Sequence, residues 1–173
     1  MRFKTESMEQ YDYPSEEYLD KVRGKYEPQI GRFLIDFSVL EHTLNVCIAE
    51  LFIDDMHEHG YLIIAGNTLY GRIELFRKLL LSRLRYTRPK LTNRLKALVK
   101  RLHETRVFRN YLVHANWSTL KNTGYVRTRF DEQDGQVVLK NVRIKPATIK
   151  AWSNRVRKLD LDLFEFAEVA NSA

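Results

Sequence analysis

The feature that most constrains this chain is a run of apolar residues at alternating three- and four-residue spacing: Ile30, Phe33, Phe37, Leu40, Leu44, Cys47 and Leu51. A helix turns about 100° per residue, so this spacing gathers all seven side chains onto one stripe. A stripe of that length has to be buried against other helices. The rhythm recurs in Leu62, Leu69, Ile73, Phe76 and Leu80, then in Leu91, Leu95, Leu98, Leu102 and Leu112, and finally in Ile149, Trp152, Val156, Leu159, Leu163 and Phe166. Pro28 suits the first turn of the first helix, Pro89 separates the second from the third, and Pro146 opens the last. Gly60 is the expected terminator of the first helix, while Gly66 and Gly71 weaken the second. The third helix is expected to reach about Ala115.

Between the third and fourth stripes the period changes to two. Tyr125 to Phe130 alternates, Asp-Glu-Gln-Asp-Gly offers a turn, and Gln136 to Ile144 alternates again, the signature of a β-hairpin at about 117–145. The expected fold is therefore mainly α: an antiparallel up-down bundle of about four long helices, with the hairpin inserted between the third and fourth. Residues 1–27 are polar with scattered Tyr and read as an N-terminal arm. Residues 28–173 read as the bundle, and 173 residues suit one domain.

Composition removes several classes. One cysteine excludes a disulfide framework and a four-cysteine zinc site. No apolar run approaches the ~18–20 residues of a membrane span, and the N-terminus lacks the apolar centre of a signal peptide. No membrane partner is expected, and the expected location is cytoplasmic. The net charge is +7, unevenly spread. Residues 1–20 carry −4 and residues 160–173 carry −4, whereas Arg72 to Arg109 holds 13 bases and two acids. A basic middle between acidic ends points to a polyanion such as nucleic acid; the alternative is a solvated helical face.

The polar residues that interrupt the third stripe are the most informative. Arg109 falls seven residues after Leu102 and three before Leu112, along the centre of the apolar face. A buried guanidinium costs several kcal/mol unless an anion meets it, so Arg109 requires a carboxylate, a subunit interface or a phosphate. His103, Asn110 and His114, spaced seven and four apart, stack along the flank of the same helix.

The text Arg109-Asn-Tyr-Leu-Val-His114-Ala resembles the signature of the HEPN superfamily (higher eukaryotes and prokaryotes nucleotide-binding): an Arg, four to six residues and a His, with Asn, Asp or His commonly following the Arg. Asn110 fills that position. Ala115 stands where a Gly often follows. The first helix, Gly31-Arg-Phe-Leu-Ile-Asp-Phe-Ser-Val-Leu-Glu-His-Thr-Leu, also looks like the opening helix of bacterial members. The resemblance implies a metal-independent endoribonuclease with no cofactor, acting as a toxin, in phage defence or in RNA processing. It implies RNA as substrate, a homodimer whose two motifs face one cleft, and, for a toxin, a cognate antitoxin protein. Arg109 and His114 would be catalytic and Asn110 would position them. Other members have lost cleavage and serve as binding or assembly modules.

The residue types suit that chemistry. Metal-free RNA cleavage needs a base for the 2′-hydroxyl and an acid for the leaving oxygen, and histidine serves either near neutral pH. A fixed guanidinium stabilises the extra charge on phosphorus. Residues five apart on an ideal helix diverge by about 140°, which favours a two-fold dimer in which each copy supplies part of the cleft. Glu41 lies beside the first stripe, placed to hold Arg109 or a neighbouring Arg, with an ordinary structural ion pair as the alternative. Lys100, Arg101 and Arg106 are candidates to track an RNA backbone. Tyr111 and Trp117 are candidates for base stacking, although packing suits them better. The loop Asp54-Asp-Met-His-Glu-His59 concentrates metal-type ligands without a regular ligand spacing, so no metal site is expected. No P-loop, Rossmann glycine pattern or GxSxG elbow occurs. Cys47, inside the first stripe, reads as a small hydrophobe. A plain helical DNA-binding domain ranks last, because no recognition-helix pattern is present.

Overall fold

In a computed structural model the residues described are 5–6, 15–52, 57–84, 88–120, 124–133 and 136–171. Among these described residues, five helices and four strands follow in the order β1 (Thr5–Glu6), α1 (Glu16–Ala49), α2 (His57–Ala65), α3 (Leu69–Leu84), α4 (Pro89–Val113), β2 (Asn116–Leu120), β3 (Gly124–Gln133), β4 (Gln136–Arg143) and α5 (Pro146–Asn171). The chain is mostly helical. It divides into two compact units, one of residues 1–33 and 110–152, the other of residues 34–109 and 153–173.

The first helix starts earlier than its apolar stripe announces. The Ser15 hydroxyl accepts the Tyr18 N–H at 3.4 Å, and Glu16 and Glu17 fill the first turn, where carboxylates complement the helix dipole. The expected arm of residues 1–27 is thus helical from Glu16, and Thr5–Glu6 form a short strand. Pro28 lies inside α1 rather than at its start. It is exposed, while Val22 and Tyr26 extend the buried stripe about two turns further back.

The helical unit of residues 34–109 and 153–173 is a bundle. Its core takes Phe37, Leu40, Leu44 and Ile48 from α1, Ile73, Phe76 and Leu80 from α3, Leu95, Leu102 and Phe108 from α4, and Val156, Leu163 and Phe166 from α5. The second stripe is not one helix. Asn67 donates its side-chain amide to the Ile63 carbonyl at 2.6 Å, closing α2, and Thr68 accepts the Gly71 N–H at 3.2 Å, opening α3. Gly60, expected to end the first helix, lies within α2 instead. A Cβ there would stand 2.9 Å from the Ala49 Cα, so only glycine permits this approach of two helix backbones.

Ion pairs fix the helix directions. Arg72, at the start of α3, bonds Glu41 and Asn45 of α1, and Arg83, near its end, donates to the Leu51 carbonyl. The first two long helices therefore run parallel, with the short α2 supplying the return. Contacts of Arg101 with Asp162 and of Arg94 with Glu165 set α4 and α5 antiparallel.

The other unit carries a four-stranded antiparallel sheet in the order β1-β4-β3-β2. The insertion expected as a lone hairpin is thus part of a larger sheet: Asn116–Leu120 adds a strand on one edge and Thr5–Glu6 on the other. A two-stranded hairpin is marginal in water, and the added strands satisfy its outer backbone groups. Residues 134–135 of the expected turn lie outside the described residues. Among the described residues, no helix is long and apolar enough to cross a membrane.

Phe76 is fully buried in the helical unit, whereas Ile35 is 65 % exposed. Phe76→Ala is expected to destabilise the chain by ~3–5 kcal/mol, and Ile35→Ala by no more than ~0.5 kcal/mol, in urea unfolding followed by circular dichroism.

Candidate functional site

Helix α4 carries the motif, and its burial pattern departs from the expected stripe. Thr105, Phe108 and Leu112 are the buried α4 residues after Leu102. The Thr105 hydroxyl is satisfied by the Arg101 carbonyl at 2.8 Å, one turn back, which lets a polar residue sit in the stripe. Phe108 takes the central position assigned to Arg109, and Arg109 moves to the flank, half-buried. Its guanidinium lies over the buried Phe37 ring, 5.9 Å from the centroid, a cation–π contact.

Arg109 closes the helical unit, and Asn110 and His114 belong to the sheet-bearing unit. Asn110 is half-buried, and its carbonyl accepts the His114 N–H at 3.1 Å. This is the last helical hydrogen bond. His114 itself stands in the turn after Val113, with its side chain exposed. Tyr111 is half-buried, and Trp117 is committed to packing: its indole N–H donates to the Leu112 carbonyl at 3.2 Å, and its ring meets Tyr26 at 6.4 Å.

Glu41 does not hold Arg109. Its Oε1 lies 3.0 Å from an Arg72 terminal nitrogen, and the other terminal nitrogen of Arg72 donates to Asn45 at 2.8 Å. Both charged side chains are more than two-thirds buried, so this pair braces α1 against α3.

His103 is engaged by a neighbouring helix. Its Nε2 lies 3.0 Å from Glu74 Oε1 on α3. The second Glu74 oxygen accepts Arg77 Nε at 2.9 Å. The hydrogen bond from Arg77, followed by the bond to His103, holds the Glu74 carboxyl below the usual carboxylate range, against the opposing effect of burial. Tyr70 completes the group, its ring 5.2 Å from that of His103 and 5.2 Å from the Arg106 guanidinium. Tyr70 and Glu74 escaped the sequence reading. The available signal was spacing: Tyr70, Glu74 and Arg77 fall on one face of α3, as His103 and Arg106 do on α4.

The candidate backbone cations separate. Lys100 is exposed. Arg101 is paired with Asp162 at 2.6 Å. The acidic C-terminal stretch is thus not a free tail, because Asp162 and Glu165 of α5 neutralise part of the basic α4 face. Cys47 is buried, and its thiol is pushed up to about 12, chiefly by burial, then by the carboxylates of Glu50 and Asp160. No group of three or more metal-type ligands gathers among the described residues. Asp54, Asp55 and Met56 lie outside the described residues, as do the side chains of His57, Glu58 and His59.

Comparison with known proteins found no matching family model, no matching curated protein and no matching solved structure.

Glu74 also gives the fold a pH dependence of definite sign. Its folded pKa is depressed, so its contribution to stability is complete above the unfolded value of roughly 4.3 and is lost as pH falls through the folded value. Urea midpoints at neutral and acidic pH are expected to fall less for Glu74→Gln than for the wild-type chain. An identical loss in both would remove Glu74 as the source.

Proposed function

We propose that this chain is a metal-independent endoribonuclease of the HEPN type that works as a homodimer on single-stranded RNA. The observation that carries the reading is the text Arg109-Asn-Tyr-Leu-Val-His114, with the imidazole exposed just past the end of a basic helix. An exposed His at that point can reach a polymer. The half-buried Arg109, backed by Phe37, has the restricted freedom that a charge-stabilising guanidinium needs.

In this reaction the 2′-oxygen of one ribose attacks the adjacent phosphorus. The new P–O2′ bond forms as the P–O5′ bond breaks, leaving a 2′,3′-cyclic phosphate and a free 5′-hydroxyl. One imidazole takes the 2′-hydroxyl proton and the other, from the second copy, protonates the departing O5′. Arg109 offsets the added negative charge on the phosphoryl oxygens, Asn110 positions the ligand, and Lys100 contributes a backbone contact. A cognate antitoxin is the partner that the toxin form of this reading requires.

Incubation with single-stranded RNA in EDTA should yield cyclic-phosphate ends. His114→Ala is expected to slow cleavage by ~10²–10⁴-fold and Arg109→Ala by ~10²–10³-fold. Cleavage unchanged in His114→Ala would rule the assignment out.

A second reading, a non-catalytic dimeric module of HEPN type binding nucleic acid, a nucleotide or a partner protein, is favoured by Ile35 and Val39. They lie one turn apart on α1 and are 65 % and 51 % exposed. It predicts no turnover, with dimerisation or binding lost in Arg109→Ala. Sedimentation of that variant, run beside the RNA assay, separates the two.

A further inference from the structure

We propose that Tyr70, His103 and Arg106 form a subsite for one nucleotide of single-stranded RNA, with the base stacked on Tyr70, the phosphate held by Arg106, and the His103 ring bordering the stacked base. The inference rests on the ribonuclease reading, because it concerns how that same substrate is held. It assigns a role to residues outside the Arg109–His114 motif.

Arg72 has Glu41, Arg77 has Glu74 and Arg101 has Asp162, each within about 3 Å. Arg106 has no carboxylate partner among the described residues. Its Nε is buried without a hydrogen-bond acceptor, and its guanidinium instead faces the Tyr70 ring at 5.2 Å. A partly desolvated cation left in this way favours an incoming anion, and a guanidinium fits phosphate oxygens in particular.

The aromatic component is equally unusual. Tyr70 is 53 % exposed although it lies at the start of α3, where the neighbouring Ile73 and Phe76 are buried. The Arg106 guanidinium lies over the phenol ring and the His103 ring stands tilted 5.2 Å from it, so a base stacks on the part of the ring that they leave exposed. Base stacking on an aromatic ring combined with backbone cations is how proteins take up unpaired strands, because every base offers a π-face. A duplex hides those faces.

Glu74 positions the imidazole. By engaging His103 Nε2 at 3.0 Å it fixes the ring, and Nδ1 has no partner among the described residues. Arg77 in turn fixes Glu74. The subsite thus has a buttressed His, an uncompensated Arg and an exposed ring on two adjacent helices of one unit.

The test is fluorescence anisotropy with a labelled oligouridine carrying 2′-O-methyl groups, which removes the nucleophile and keeps the probe intact. Tyr70→Ala is expected to weaken binding roughly 5- to 100-fold, and Tyr70→Phe to bind like the wild-type chain. Arg106→Ala is expected to weaken binding and to lower the salt slope by about 0.7. Thermal melting of each variant establishes that it is folded. Wild-type affinity in both Tyr70→Ala and Arg106→Ala would overturn the subsite while leaving the ribonuclease reading intact. Equal loss of affinity for duplex RNA in Tyr70→Ala would overturn the stacking role. No probe binding by the wild-type chain removes the subsite; cleavage of unmodified RNA would still uphold the ribonuclease, and its absence would remove both.

Discussion

Everything in the helical unit depends on burying the apolar faces of α1, α3, α4 and α5 against one another. Phe76, Phe108 and Phe166 are fully buried, and each contributes a large apolar area. α1, α4 and α5 also donate residues to the sheet-bearing unit: Val22 and Tyr26 come from α1, Leu112 from α4, and Ile149 and Trp152 from α5. The motif Arg109 to His114 falls where α4 passes from one unit to the other.

Charge is organised around this packing. The stretch from Arg72 to Arg109 looks uniformly cationic along the sequence, yet several of its cations are paired with carboxylates. Glu41 and Asp162 reach across to Arg72 and Arg101, and Glu74 holds Arg77 within α3. The exposed positive face is therefore narrower than the composition suggests. It is defined by the cations that these carboxylates do not take.

The helices were legible because burial repeats with the helical period, and that period survives in Phe37, Leu40, Leu44, Ile73, Phe76, Leu80, Val156 and Leu163. What escaped was set by local polar chemistry or by pairing between distant segments. The Ser15 cap moves the start of α1 ahead of Pro28. Asn67 and Thr68 divide one apparent helix into two. The outer strands of the sheet are short and have no alternating signal strong enough to stand out. Among the candidate residues, Arg109 and His114 could be named from the text, but their surroundings could not. A one-position shift of the α4 stripe, caused by a self-satisfied Thr105, put Phe108 in the core and Arg109 beside it. The partners of Glu41 and His103 lie about 30 residues away, beyond what periodicity on one helix can reveal.

Cys47 has a practical corollary. It is the only sulfhydryl in the chain, it is sealed in the α1 stripe, and its ionisation is suppressed. The thiolate is the form that reacts with alkylating reagents, so the folded chain is protected from them and only an opened chain is labelled. Labelling rate therefore becomes a clock for excursions of the helical core, read from a native side chain without any added probe.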